Sequence, residues 1–431
     1  MQLIERLKKI WNGIDNPFLI CSGQHLQFSD IEAQELVDLS AVRSGDVVAI
    51  IGDFEPRSIS TLLRLIDLNA IVVPLTKETA GEHEYFFDAA LVDVVIRDGA
   101  AIRRPQNEKH ELIQQLRKIE HAGLVLFSTG TTGRPKAILH DLTTFMRRYE
   151  TPRPTLRTMN FLLFDHIGGL NTLLHTLFNK GVVIAPISRT VDAVLETCRE
   201  YQVEVLPTTP TFLRLMLMSG HVPNKVSTYL RFITYGTERM DQPTLDELCK
   251  LLPRVEFRQT FGMSELGIVR VKSEARNSLY MKVGGEGVET KVVDGVLQIR
   301  SASKMLGYLN AASPFDNEGW YDTKDVVEQK GPYYKVVGRI GDAINVGGLK
   351  FMASEVERVA LEYPGIALVK AYARENPITG QHVELIAQAA DGVEIEASEL
   401  MSFLKLRLQA YMVPKRVRFE SVSVGHRFKR A

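Results

Sequence analysis

Residues 124–136 read LVLFSTGTTGRPK. Leu124, Val125, Leu126 and Phe127 are an unbroken apolar run of the kind that ends a strand buried on both faces, and hydroxyls, glycines, Arg, Pro and Lys follow at once. The residue types describe a loop that holds a polyanion. Gly130 and Gly133 let backbone N–H groups approach a ligand closely, Ser128, Thr129, Thr131 and Thr132 add hydroxyl donors, and Lys136 adds a point charge. A triphosphate matches those donors. The glycines are too close together for the Gly-x4-Gly-Lys-Ser/Thr loop. Pro135 lacks an N–H and turns Arg134 away from helix, so a phosphate seated on a helix N-terminus is not expected.

Upstream, residues 46–51 (DVVAII) predict a buried strand, residues 56–71 an apolar-striped helix, and residues 71–75 (IVVPL) a second strand. Together they make a βαβ unit and call for a parallel sheet. Residues 2–11 carry apolar side chains at helical spacing, and residues 18–21 and 26–28 flank a Ser22-Gly23 turn as a hairpin. Downstream, residues 161–170 (FLLFDHIGGL) predict a strand running into His166 and paired glycines, then a helix over 171–179 and a strand over 182–185. Residues 203–210 and 230–235 read as further strands, the latter opening into Gly236-Thr237-Glu238. Residues 258–267 read RQTFGMSELG, with a flat ring in Phe261, room for close backbone approach at Gly262, and oxygen ligands for a hard divalent cation in Ser264 and Glu265.

Composition narrows the classes. The 431 residues are 45% hydrophobic and 24% charged, enough for a core and more than one domain. Lys+Arg and Asp+Glu stand at 52 each, so no overall field favours nucleic acid or an anionic membrane. Cys21, Cys198 and Cys249 are too few and too scattered for a disulfide framework or a zinc site, which suits a reducing cytoplasm. No run of 18 apolar residues occurs, so neither export nor a membrane span is expected.

The words STGTTGRPKA resemble the phosphate loop of the adenylate-forming superfamily, which includes acyl-CoA synthetases, peptide-synthetase adenylation domains and luciferases. The likeness extends over nearly the whole chain, with its motifs in the family's order. It implies an α/β fold: a large N-terminal domain (1–338) of parallel-rich sheets and helices, and a small mobile α+β C-terminal domain (339–431). By that resemblance Gly236, Thr237 and Glu238 form the adenine-contacting turn, and residues 261–265 stand for the Tyr-Gly-x-Thr-Glu motif with Phe261 stacking on the base. The resemblance also makes Ser264 and Glu265 the metal ligands. Residues 319–325 (GWYDTKD) resemble Gly-Trp-x-x-Thr-Gly-Asp, which gives Asp325 the ribose hydroxyls and leaves Lys324 where the family has glycine. Arg339 then pairs with phosphate or ribose, Gly341 is the hinge, and Gly347 and Gly348 enter the thiol tunnel, where Asn345 replaces a common lysine. His166 aligns with the histidine or aromatic of acyl- and aryl-CoA ligases, which places Ile167 where amino-acid-activating relatives carry aspartate. The C-terminal catalytic lysine falls at Lys429 by distance from Phe419, or its place is taken by His426 if Gly425 is the guide; a permanent cation suits the role better. From 401 to 431 there are eight Lys/Arg against Glu420 alone, consistent with a lid over ATP.

The activity implied is activation of a carboxylic acid by ATP and Mg2+ to an acyl-adenylate, with Lys136, Glu265, His166 and Lys429 as the catalytic set. Transfer to coenzyme A or a phosphopantetheine carrier then follows. Alternatives are a stand-alone enzyme loading an acyl carrier protein and a degenerate ATP-binding homologue, the latter suggested by Lys324, Asn345 and the unusual C-terminus. The identity of the acid, and monomer against dimer, are left open by the sequence.

Overall fold

The computed structural model describes residues 2–33, 37–105, 108–128, 133–390, 392–422 and 424–425. The chain forms two compact units. The first comprises Met1–Pro207 and two later returns of the chain, Gly262–Ile268 and Ser301–Glu318; the second takes Thr208–Phe261, Val269–Arg300 and Gly319–Ala431.

The centre of the first unit is a seven-stranded sheet in the order Gly307–Tyr308, Ala137–Asp141, Gly123–Phe127, Ile71–Leu75, Val47–Ile51, Val94–Arg97, Ala100–Arg103. Its four inner strands are parallel and its ends antiparallel. Period-2 alternation fills both faces: Val48, Ile50, Val72, Leu124 and Leu126 join one apolar cluster, while Val47, Ala49, Ile71, Val73, Val125 and Phe127 join another. The predicted βαβ unit is present, with Val47 opposite Ile71. Its helix, Pro56–Asp67, starts on proline in the first turn and ends earlier than expected, because Asn69 takes a left-handed φ of 55°. A second set of strands in this unit runs parallel through Arg157–Met159, Val182–Ala185 and Leu19–Cys21, closed by the hairpin to Gln24–Leu26.

Residues 161–166 are not the strand their apolar run suggested. The strand is the short Arg157–Met159, and the helix begins at Ile167 rather than at residue 171. His166 is its N-cap, with Nδ1 accepting from the Gly168 N–H at 3.0 Å, so the ring starts the helix by satisfying a free helix donor. Phe28 likewise opens a short helix, Phe28–Glu32, instead of extending the N-terminal hairpin.

The second unit holds the parallel pair Phe232–Tyr235 and Glu256–Gln259, and a six-stranded antiparallel sheet from Arg270–Ser273 to Val288–Val293. A separate five-stranded sheet contains Ala343–Val346, Leu349–Met352, Ile366–Asn376, Gly380–Ala389 and Arg416–Phe419. Helices Ala353–Leu361 and Ala397–Lys405 supply Val356, Val359, Leu400 and Leu404 to its own apolar core. The fold is α/β with a distinct α+β portion at the C-terminal end. Among the described residues no helix is long and apolar enough to cross a membrane.

Candidate active site

In the first unit the loop expected to hold a polyanion connects two antiparallel strands, Gly123–Phe127 and Ala137–Asp141, rather than a strand and a helix. Ser128 and Lys136 close it: the Ser128 N–H donates to the Lys136 carbonyl and the Lys136 N–H to Ser128 Oγ, each at 3.0 Å. Tyr85 Oη donates to the carbonyl of Pro135 at 2.6 Å, and Asn310 Oδ1 receives the Ala137 N–H at 2.9 Å. The exit of the loop is therefore held while Gly133 and Lys136 face solvent. Thr129, Gly130, Thr131 and Thr132 lie outside the described residues.

The return Gly262–Ile268 brings Ser264 and Glu265 to this loop's unit. Three successive carbonyls of the segment are held. His140 Nε2 donates to Ser264 O at 2.7 Å, the Met305 N–H donates to Glu265 O at 2.8 Å, and Ser301 Oγ and Ser303 Oγ both reach Leu266 O at 3.3 Å. Because the acceptor is a carbonyl, Nε2 of His140 carries the proton. Burial pushes this imidazole down to about 4, against the Ser264 bond that favours the charged form. Gly267 sits at φ 71°, ψ −149°, and a Cβ there would stand 2.6 Å from Ser303 O, so only glycine lets the chain leave the site along this path. The Glu265 side chain is buried, and Tyr308 Oη donates to its Oε1 at 2.8 Å. The ring of the same tyrosine lies 5.0 Å from Lys136 Nζ. Lys136, expected at the phosphates, and Glu265, expected at the cation, thus meet on a third residue.

His140, Tyr308, Tyr85 and Asn310 were not singled out in the sequence. The available signal was Tyr308 itself, an aromatic hydroxyl in the apolar run MLGYL that needs a partner once buried. His166, expected in the catalytic set, is half-buried and engaged as a helix cap.

The second unit assembles another group. Gly236 is required by close approach, since a Cβ would stand 2.1 Å from Thr260 Oγ1 and 2.6 Å from Thr260 O. Thr237 takes a left-handed φ of 72°, and its buried Oγ1 has no hydrogen-bond partner among the described residues. Glu238 Oε1 accepts the Thr211 N–H at 2.7 Å, completing the N-terminus of helix Pro210–Met218. Phe261 is half-buried and Gly262, in the first unit, is exposed. Asp325 is buried and paired with Arg339, Nε to Oδ1 at 2.9 Å. Burial nevertheless pushes the Asp325 carboxyl above the usual carboxylate range, against the pull of the guanidinium. Lys324 takes a left-handed φ of 60°, its N–H and Nζ both bonded to Asp322 at 2.9 and 2.7 Å. Gly341 lies in the 3-10 turn Ile340–Asp342, and a Cβ on it would meet nothing within 4 Å. Gly347 and Gly348, at φ 60° and 89°, form the turn between Ala343–Val346 and Leu349–Met352. His426 and Lys429 lie outside the described residues.

Known proteins resemble this chain along its length. It is 25% identical to a feruloyl-CoA synthase of Amycolatopsis sp over 430 residues, covering 88% of this chain and 86% of that protein. It is 24% identical to 4-coumarate–CoA ligase 4 of Arabidopsis thaliana over 352 residues, covering 74% of this chain and 62% of the plant enzyme, less than two thirds of that relative's length. In fold it superposes on the anthranilate CoA ligase AuaEII, solved with anthranoyl-AMP, at a TM-score of 0.81 and 17% identity over 97% of this chain and 93% of that one. Residues 29–309, well over half of the chain, match the family of AMP-binding enzymes, and the chain belongs to that family.

Proposed function

We propose that this protein activates a carboxylic acid with ATP, forming an acyl-adenylate and releasing pyrophosphate, and then transfers the acyl group to the thiol of coenzyme A. The observation that carries the reading is the meeting of Lys136 and Glu265 on Tyr308 beside the closed Ser128–Lys136 loop. The names of the similar feruloyl-CoA and 4-coumarate–CoA ligases support the thiol step.

The residues fit a nucleotide and one divalent cation. Glu265 Oε1 is occupied by Tyr308, whereas Oε2 has no hydrogen-bond donor among the described residues. Those residues hold no cluster of three or more His, Cys, Asp or Glu. One carboxylate completed by substrate phosphates and water is the usual setting for Mg2+, not for a cage metal. Thr237 offers an unpartnered hydroxyl on the turn assigned to adenine. When bound, Mg2+ neutralises phosphate charge. Glu265, with Ser264 beside it, holds the cation, and the loop donors from Ser128 to Gly133 together with Lys136 hold the triphosphate. Asp325 accepts from the ribose hydroxyls, with Arg339 opposing the burial that favours its neutral form. The acid's carboxylate attacks the α-phosphorus in line, and Lys429 steadies the charge that develops there. Residues 339–431 act as a lid that turns about Gly341 and brings the Gly347-Gly348 hairpin to the thiol.

Acid-dependent ATP–pyrophosphate exchange, run over aromatic and aliphatic carboxylic acids, tests the reading. Lys136→Ala and Glu265→Gln should each lower exchange by about 10²-fold or more with the fold intact. Full exchange in both variants would refute the assignment. Trapping the product on coenzyme A tests the acceptor.

A further inference from the structure

Tyr308 occupies a place that a packing role alone does not explain. It lies in the two-residue strand Gly307–Tyr308, paired with Leu139 and Ile138 of the strand that leaves the polyanion loop. The Leu306 and Leu309 N–H groups bond Leu139 O and Ala137 O at 2.8 and 2.9 Å, so its backbone is locked on both sides. Its side chain is 5% exposed and packs with Ile138, Met305 and Phe315, which leaves the ring one orientation. From that fixed ring the hydroxyl reaches Glu265 Oε1 while the face lies under Lys136 Nζ.

The neighbouring contacts show what this hydroxyl adds. The main chain at residues 264–266 is already held by His140, Met305, Ser301 and Ser303. What remains free at Glu265 is its side-chain torsions, and a charge-assisted bond from an immobile phenol to the carboxylate removes that freedom. It also leaves Oε2 as the oxygen without a protein donor among the described residues. Lys136 is exposed on a flexible stem, and a ring beneath its ammonium favours one direction.

We propose that Tyr308 is a positioning residue that sets two charges from one ring: its hydroxyl aims Glu265 at the cation and its face aims Lys136 at the phosphates. The inference rests on the assignment of those two residues above. It separates two functions within one side chain, so two substitutions give different results. Tyr308→Phe keeps the face and removes the hydroxyl; Tyr308→Leu removes both.

The test is calorimetry of ATP binding to the full chain, once with Mg2+ and once with EDTA, beside thermal unfolding without ligand. In the parent protein Mg2+ should strengthen ATP binding. Tyr308→Phe should reduce that enhancement roughly 10- to 100-fold, as loss of an outer partner of a metal ligand does, with metal-free ATP affinity unchanged. Tyr308→Leu should lose the enhancement and also weaken metal-free binding by roughly two- to fivefold, the worth of an exposed cation–π contact. Glu265→Gln, which removes the anionic ligand, should also lose the enhancement, and Tyr308→Phe added to it should lose no more, since the hydroxyl acts only through that carboxylate. That last comparison holds even if Tyr308→Phe lowers the unfolding temperature. Full enhancement in Tyr308→Phe, beside loss in Glu265→Gln, would overturn the proposal and leave the metal assignment standing. No enhancement in the parent protein would overturn the metal assignment and the proposal together. Identical behaviour of the Phe and Leu variants would overturn the role given to the ring face.

Discussion

His140 should make part of the protein's stability depend on pH in a predictable direction. The imidazole is 1% exposed, donates to Ser264 O, and is pushed by burial from an ordinary 6.5 to about 4, with Arg148 adding to the push. Its folded value lies below its unfolded value, so between those two the unfolded chain binds more protons. Stability from this residue is complete above pH 6.5 and is lost as pH falls toward 4. A gap of that size corresponds to about 3 kcal/mol, accumulating at no more than about 1.4 kcal/mol per pH unit. His140→Gln keeps a donor for the carbonyl and does not titrate. Denaturant unfolding of both proteins from pH 7.5 to 4 therefore isolates the effect, because all other groups cancel in the difference. The advantage of the parent over His140→Gln should shrink by up to about 3 kcal/mol across that range. His140→Leu, which leaves the Ser264 carbonyl without its donor, should cost about 1–3 kcal/mol even at pH 7.5. A difference between parent and His140→Gln that stays constant with pH, or a His140 resonance titrating near an ordinary 6.5, would refute the reasoning.

Asp325→Ala should weaken ATP and AMP binding by roughly 1.5–3 kcal/mol by calorimetry while leaving inorganic pyrophosphate binding unchanged. Equal losses for all three would make Asp325 a structural acid. Lys324→Val should cost about 1–2 kcal/mol in denaturant unfolding, because a β-branched side chain is strained at φ 60°, whereas Lys324→Gly should not destabilise measurably. Gly341→Ala should fold and act normally, since its Cβ enters open space. Gly341→Pro should preserve pyrophosphate exchange and slow thiol transfer from preformed acyl-adenylate; equal loss of both half-reactions would make Gly341 a folding residue, and loss of neither would show that the lid does not turn there.

Residue chemistry along the chain was sufficient for the parts whose causes are local. Strands such as Val47–Ile51 and Ile71–Leu75 follow from short apolar runs between turn residues, and so does the buried strand Gly123–Phe127 that leads into the hydroxyl- and glycine-rich loop. Family likeness then carried Asp325 and Glu265 as chemical groups. Local causes could not place the helix start at Ile167, because it depends on His166 folding back to cap it. Nor could they assign a left-handed backbone to Lys324, which Asp322 holds through two hydrogen bonds. Above all, a sequence names a carboxylate without saying what orients it. Glu265 takes its hydroxyl donor from a residue 43 positions away, and its neighbour Ser264 takes its imidazole from one 124 positions away. Those partners are chosen by the way Gly262–Ile268 and Ser301–Glu318 return to the first unit, and burial then requires each polar atom to find a partner close at hand.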